Sequence, residues 1–361
     1  MSRPYRPALL RREVCALVFG APFAVRAGET PLSLQRDVEV ESFRREYMTD
    51  RQVLQKAFAA WDQRGGGSFI FGANRTYKLG PVHPDAPPFL LNRANGVSIV
   101  GNNARLSCET ITGITSIFLV QNSQRIRISD LQLRDFGFRP RIDWQGAVLI
   151  YLDGDSGPST DIAMTKLKAD STVALCICSG TSPRGRVSGI ALNDVVANDC
   201  YYGACFQENA DNVSCTMEAS NCRRTYFCYG VTDHRADLSI RGDSNGVGSD
   251  GCIVVHRYKR DTSNIRIRAR IAGELKWGTL IHFMQSPPSG VVGLVQDIAV
   301  DLVVDPQAVD LAGGRDAAFT IYDPRDGQPI KSSPSQWRNV IANGTGIGGR
   351  KIEAVFDTAS Q

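Results

Sequence analysis

Asp199 and Asp250 each stand just ahead of a short apolar run, GACFQ and GCIVVH, among arginines, a lysine and aromatic rings. Aligning such runs puts the residues before them in one column: Trp144, Tyr201 and Tyr202, Arg223 and Arg224, Lys276 and Trp277, with the two aspartates, and with Asp170 if the run STVALCIC takes the same register. Two carboxyl groups, one protonated and one ionised, are what cleavage of a glycosidic bond by water requires. Asp199 and Asp250 are two repeats apart in this alignment, roughly 9 to 10 Å if neighbouring strands lie about 4.8 Å apart. That is the upper edge of the spacing of inverting enzymes, whereas Asp170 and Asp199, one repeat apart, suit a closer pair. Arg223, Arg224 and Lys276 would bind an acidic group, and Trp144, Tyr201, Tyr202 and Trp277 offer flat apolar faces. A second chemistry uses the same column: Arg224 or Lys276 as the base that removes a proton, with Asp199 and Asp250 holding Ca²⁺ through oxygen ligands.

The elements that must carry this column are strands. From about residue 97 to 322 the chain repeats a β-branched strand, a polar turn and a second apolar strand at intervals of very roughly 24 to 35 residues. Clear copies begin at Ser188, Asp211, Ala236 and Ser263. Each is too short to bury its own apolar face, so the copies must stack as coils. Residues 50–63 read as a helix, because Val53, Leu54, Ala57, Phe58 and Trp61 return on one face and Gly65-Gly66-Gly67 follows. Such a helix would lid the open end of the stack, whose strand edges are otherwise unpaired. The expected organisation is a putting-together of four parts: residues 1–27 as an export signal, 28–95 as an N-terminal segment with the capping helix, 96–322 as the coils, and 323–361 as a C-terminal cap.

The helix carrying LQKAFAAW, then GGGSFIFGANRTYKL, GVSIVGNNARL and RIRISDLQLRDFGF resemble the opening of the pectate lyase-like superfamily. That resemblance implies an all-β chain: a single-domain right-handed parallel β-helix, here of about eight to ten coils. It implies a protein acting on a polysaccharide or oligosaccharide, acidic or neutral, by hydrolysis, by lyase or epimerase chemistry, or by binding alone as an adhesive module does. The segment ending at Cys252-Ile253 resembles the polygalacturonase type, with Ser249-Asp250-Gly251 in place of its paired aspartate and Lys276-Trp277-Gly278 in place of its Gly-His-Gly. Asp250 is the residue carried over. Some relatives associate along their long axis, so the resemblance admits a homotrimer. It implies no cofactor for a hydrolase and Ca²⁺ for a lyase.

Composition narrows the field. With 41 basic and 37 acidic side chains, a net charge of +4 creates no global field for nucleic acid. Arg3, Arg6, Arg11 and Arg12 precede an apolar run from Val14 to Val25, as in export signals, and no segment has the length of a membrane span. A secreted or periplasmic address follows, and it would permit a disulfide among Cys200, Cys205, Cys222 and Cys228. The ten cysteines and four histidines lack metal-site spacing, so no metal centre is expected, and the cysteines read as small residues stacked between coils. Glu218 and Asp243 read as a solvated face, and residues 256–260 as a basic coil corner.

Overall fold

The computed structural model describes residues 37–139, 145–182, 184–242, 252–273, 280–285, 293–305, 319–322, 337–347 and 350–356. The described residues belong to one compact unit, residues 35–361. The expected signal segment, residues 1–27, lies outside them.

Alternation within single strands builds the fold. In Thr262–Gly273, Ile265, Ile267, Ala269 and Ile271 point inward and are buried while Arg266, Arg268 and Arg270 point to solvent. A strand of that pattern covers only one face, and burying the face requires a second sheet opposite it. The chain supplies it by giving nearly every coil one strand in each of two parallel sheets. The first sheet runs through Asn95–Thr110, Gln124–Asp135, Ser159–Thr165 with Lys168–Asp170, Val187–Asn198, Ala210–Ser220, Thr232–Gly242, Thr262–Gly273, Val295–Val304 and Trp337–Ile347. The second runs from Phe89–Asn92 through Gly146–Asp153, Ala174–Ser179, Tyr202–Gln207, Arg224–Tyr229 and Ile253–Arg257 to Phe319–Tyr322. This is a parallel β-helix, right-handed as parallel crossovers are. Among the described strands, Arg350–Phe356 departs from it by pairing antiparallel with Trp337–Ile347, which covers that sheet edge.

Coil register is pinned by backbone that few residues tolerate. Gly96, Arg125, Asp161, Gly189, Asn212, Asp233, Asn264, Asp297 and Asn339 all have φ between +49° and +67°. The strand pairings stack them into one column, one residue per coil. Left-handed backbone favours Gly, Asn and Asp, which explains most of the residue types. In the last five coils Asn and Asp alternate, and the amides of Asn264 and Asn339 donate to the carboxylates of Asp233 and Asp297. An amide between two carboxylates keeps like charges off adjacent coils, and each bonded carboxylate takes its donor from the following coil.

The helix spans Asp50–Gln63, as its periodicity predicts. Thr49 caps it through a reciprocal pair with Gln52, and Val53, Leu54, Ala57 and Trp61 are buried. Phe58 and Trp61 pack edge-on against Phe69, and Phe58 also meets Phe89, so the helix seals the first coils with aromatic contacts. Among the described residues no helix is long and apolar enough to cross a membrane. The nine described cysteines are all buried thiols.

Candidate functional site

The expected column is only partly assembled. Trp144, Asp250, Lys276 and Trp277 lie outside the described residues. Of the rest, Asp170, Asp199, Tyr201, Tyr202, Arg223 and Arg224 come together at the corner that joins the first sheet to the second. Asp170 pairs with Asn198, and Asn198 with Ser220. The following residues, Ser171, Asp199 and Asn221, stack with φ of 53°, 51° and 53°. Asp199 therefore occupies a left-handed turn position that calls for a short polar residue whether or not chemistry is done there. Its carboxylate is exposed, whereas Asp170 is half-buried and lies 4.0 Å from Arg134 Nη1.

The register differs from the alignment read off the sequence. Gly203 stacks beside Thr225, as aligned, but Val148 shares a column with Ala174 and Tyr202, so Leu149, not Gly146, lies level with Gly203. Gly146 sits opposite Ile114. The two apolar runs beginning at Gly146 and Gly203 are thus out of step. A run of apolar residues buried on both faces has no alternation to show which of its residues lies over which.

The tyrosines are packing groups in this structure rather than open platforms. Tyr201 and Tyr202 are 5% and 1% exposed. Arg223 and Arg224 cover the Tyr201 ring at 4.8 and 5.7 Å, and Arg224 also faces Tyr202 at 5.8 Å and Phe227 at 5.3 Å while donating to Tyr202 Oη at 3.2 Å. Burial pushes the Tyr202 phenol well above its ordinary pKa, opposed by the Arg224 charge. The cations and rings of this corner are bound to one another by cation–π attraction. Beyond them on the same face, Phe227, Tyr229, His256 and Tyr258 continue an aromatic strip. Glu208 is nearly buried beneath Arg260, 3.5 Å away, and burial raises its pKa.

Among the described residues, an open groove lies elsewhere, on the outward face of the first sheet. A groove of about 570 Å³ is lined by Asp194, Glu218, Asp237, Arg268, Arg270 and Asp301 among others. Strand alternation directs these side chains outward. Thr216, Asp237, Arg268 and Asp301 form one column across four coils, and Glu218, Ser239, Arg270 and Val303 form the next. A bulge between Leu192 and Val195 adds Asp194, whose φ of 54° turns it out of the regular pleat. Glu218 and Asp237 lie on adjacent strands, two residues apart along the chain direction, so their Cα atoms are about 8 Å apart from strand spacing and rise. Two residues beyond Glu218 on the same strand, the Ser220 hydroxyl donates to Asn198 Oδ1 at 2.7 Å, next to Asp199 at the corner.

Sequence reasoning took Glu218 for a solvated residue and passed over Asp194, Asp237, Arg268 and Arg270. The signal was present in the alternating charges of ADLSIRG and SNIRIRARIAG, whose outward positions share a face once the αL column sets the register. No cluster of three or more His, Cys, Asp or Glu side chains able to hold a metal ion occurs among the described residues, so they do not assemble the oxygen-rich set that Ca²⁺ takes.

No family model matches the chain, and no curated protein matches it. Several solved structures are similar in chain path. Endo-xylogalacturonan hydrolase from Aspergillus tubingensis is 11% identical with a TM-score of 0.49, over 86% of this chain and 88% of that one. The catalytic domain of a GH87 alpha-1,3-glucanase with nigerose is 12% identical with a TM-score of 0.45, over 90% and 67%. The A-module of the mannuronan C-5 epimerase AlgE6 from Azotobacter vinelandii is 12% identical with a TM-score of 0.39, over 86% and 94%. These are likenesses of fold, and the activities named are those proteins' own.

Proposed function

We propose that this protein binds a polysaccharide across the first-sheet groove and hydrolyses it there, with Glu218 and Asp237 as the two carboxyl groups. The observation that carries the reading is their diagonal placement on adjacent coils in the open groove. With Cα atoms about 8 Å apart and both side chains pointing out of the same sheet face, the two carboxyl groups can take the roughly 6.5 to 9.5 Å spacing of inverting enzymes, which leaves room for a water between carboxylate and sugar. One carboxylic acid protonates the leaving oxygen while the other, ionised, takes a proton from that water. Arg268 and Arg270 present guanidinium groups along the same groove, which favours a polymer bearing carboxylate or sulfate groups. The basic and then apolar first 27 residues support an exported protein.

Asp199 and Asp250 are the competing pair within the same reading, and one experiment separates them. The purified protein is screened on acidic and neutral polysaccharides while reducing ends and unsaturated-product absorbance are both recorded. Reducing ends without absorbance are expected, and Glu218→Gln and Asp237→Asn should each lower turnover by roughly 10²- to 10⁴-fold. Loss of turnover in Asp199→Asn and Asp250→Asn, with the other two variants unchanged, moves the chemistry to the corner. Absorbance would assign the reaction to an Arg or Lys base, and binding without new ends would leave a binding module.

A further inference from the structure

The cysteines of the middle coils fall into a register that singles out one pair. Tyr202 opposes Arg224, and Arg223 N donates to Cys200 O at 3.0 Å. Cys200 and Cys222 therefore hold the same position on neighbouring coils, and both face the interior, 1% and 9% exposed. Cys200 Sγ lies 3.3 Å from Thr172 Oγ1, and Cys222 Sγ donates to Ala197 O at 3.4 Å. Adjacent coils put their Cα atoms about 4.8 Å apart, inside the roughly 4.4 to 6.8 Å of a disulfide, and a small tilt of the two Cβ atoms toward each other brings them to the ~4.5 Å a bridge needs.

The same register disfavours the other arrangements. Cys178 and Cys228 flank Phe206 from opposite sides, so two coils, roughly 9.6 Å, separate them. Cys205 belongs to the outward-facing cluster with Tyr202 and Phe227, away from the interior thiols. Cys176 and Cys178 have sulfurs 3.6 Å apart, but they sit two residues apart on one strand, where side chains pointing to the same side hold their Cβ atoms roughly 6.6 Å apart, beyond the ~4.5 Å a bridge tolerates.

We propose that Cys200 and Cys222 join as a disulfide when the chain folds in the presence of a disulfide oxidant such as oxidised glutathione, stapling two coils beneath the corner that carries Asp199, Arg223 and Arg224. One thiolate attacks the oxidant's disulfide, forming a mixed disulfide and releasing one glutathione thiol. The second thiolate attacks the mixed disulfide at the cysteine sulfur, forming the Cys200–Cys222 bond and expelling the second glutathione. Two protons leave the protein, and two electrons reduce the oxidant. The bond forms as the two coils come into register, before packing shuts the pair away from the oxidant. In the folded chain the adjoining Cys200 side chain and burial push the Cys222 thiol well above its ordinary range, so it is held as an unreactive thiol.

The full-length chain is synthesised with a glutathione redox buffer, its thiols are counted in denaturant, and unreduced peptides are mapped by mass spectrometry. The chain has ten cysteines, so ten less the bonded two leaves eight titrating thiols, with one linked peptide pair containing Cys200 and Cys222. In Cys222→Ala that linked pair disappears and Cys200 titrates as a thiol. Ten thiols in the wild-type chain, or a bridge that excludes this pair, would overturn the proposal. The wild-type map decides alone if the variant does not fold.

Discussion

His234 makes the coil stack sensitive to acid by an amount that its surroundings set. Its ring is 0% exposed, with Nε2 2.6 Å from Ala210 O and Nδ1 2.7 Å from Tyr226 Oη. A carbonyl accepts only, so Nε2 carries the proton and Nδ1 accepts from the tyrosine hydroxyl. Both ring nitrogens are satisfied in the neutral form, and a second proton would bring a charge into the apolar interior beside Phe206. Burial accordingly lowers the imidazole pKa to about 4. Above pH 6.5 the ring is neutral in folded and unfolded chains and costs nothing. As pH falls below 6.5 the unfolded chain takes up a proton that the folded chain refuses until about pH 4, so stability is lost across that window. The difference of 2.5 between 6.5 and 4 corresponds to about 3 kcal/mol in full, and to roughly 2.5 kcal/mol by pH 4.5. Set against a usual stability of about 5 to 15 kcal/mol, this is a large share. His256, lowered to about 3 by burial and then by Arg224 and His282, acts in the same direction. The assay is urea denaturation of wild type and His234→Gln at pH 7 and pH 4.5. The variant should be less stable at pH 7, because the Tyr226 contact is lost, yet its stability should fall by roughly 2.5 kcal/mol less on acidification. Equal losses in the two proteins would refute the argument.

Asp135 accepts from three backbone amides, Thr110 at 2.9 Å, Gly137 at 2.8 Å and Ala147 at 2.7 Å, and is buried. Asp135→Ala leaves three buried donors without that acceptor and should cost about 3 kcal/mol or more in a urea titration, while a loss below about 1 kcal/mol would show that water replaces the carboxylate. Thr49→Ala removes half of the reciprocal cap of the lid helix and should cost about 1 kcal/mol, with faster amide exchange in the first turn, and Thr49→Ser should restore both.

Much of the architecture was legible because its causes are local. Alternation of apolar residues marks strands wherever one face is buried, the 3.6-residue period of Val53, Leu54, Ala57 and Trp61 marks the helix, and Gly65 stops it. Repetition of short strands that cannot bury themselves forces stacking. Glu218, Asp237 and Arg268 were visible as outward residues, but not as neighbours. The columns across coils depend on register, and coil length varies too much for register to be counted along the chain: 31 residues separate Asp233 from Asn264, whereas 42 separate Asp297 from Asn339. What aligns the coils is the left-handed residue that begins each one, together with backbone bonding between neighbours. Those pairings made Asp199 a turn residue stacked with Ser171 and Asn221, packed Tyr201 and Tyr202 beneath two arginines, and left Glu218 and Asp237 facing one open groove. Amino-acid order alone determined that this chain winds into coils; only the tertiary register decided which side chains face each other, because a pleat repeats every two residues and is the same at every step of a slip.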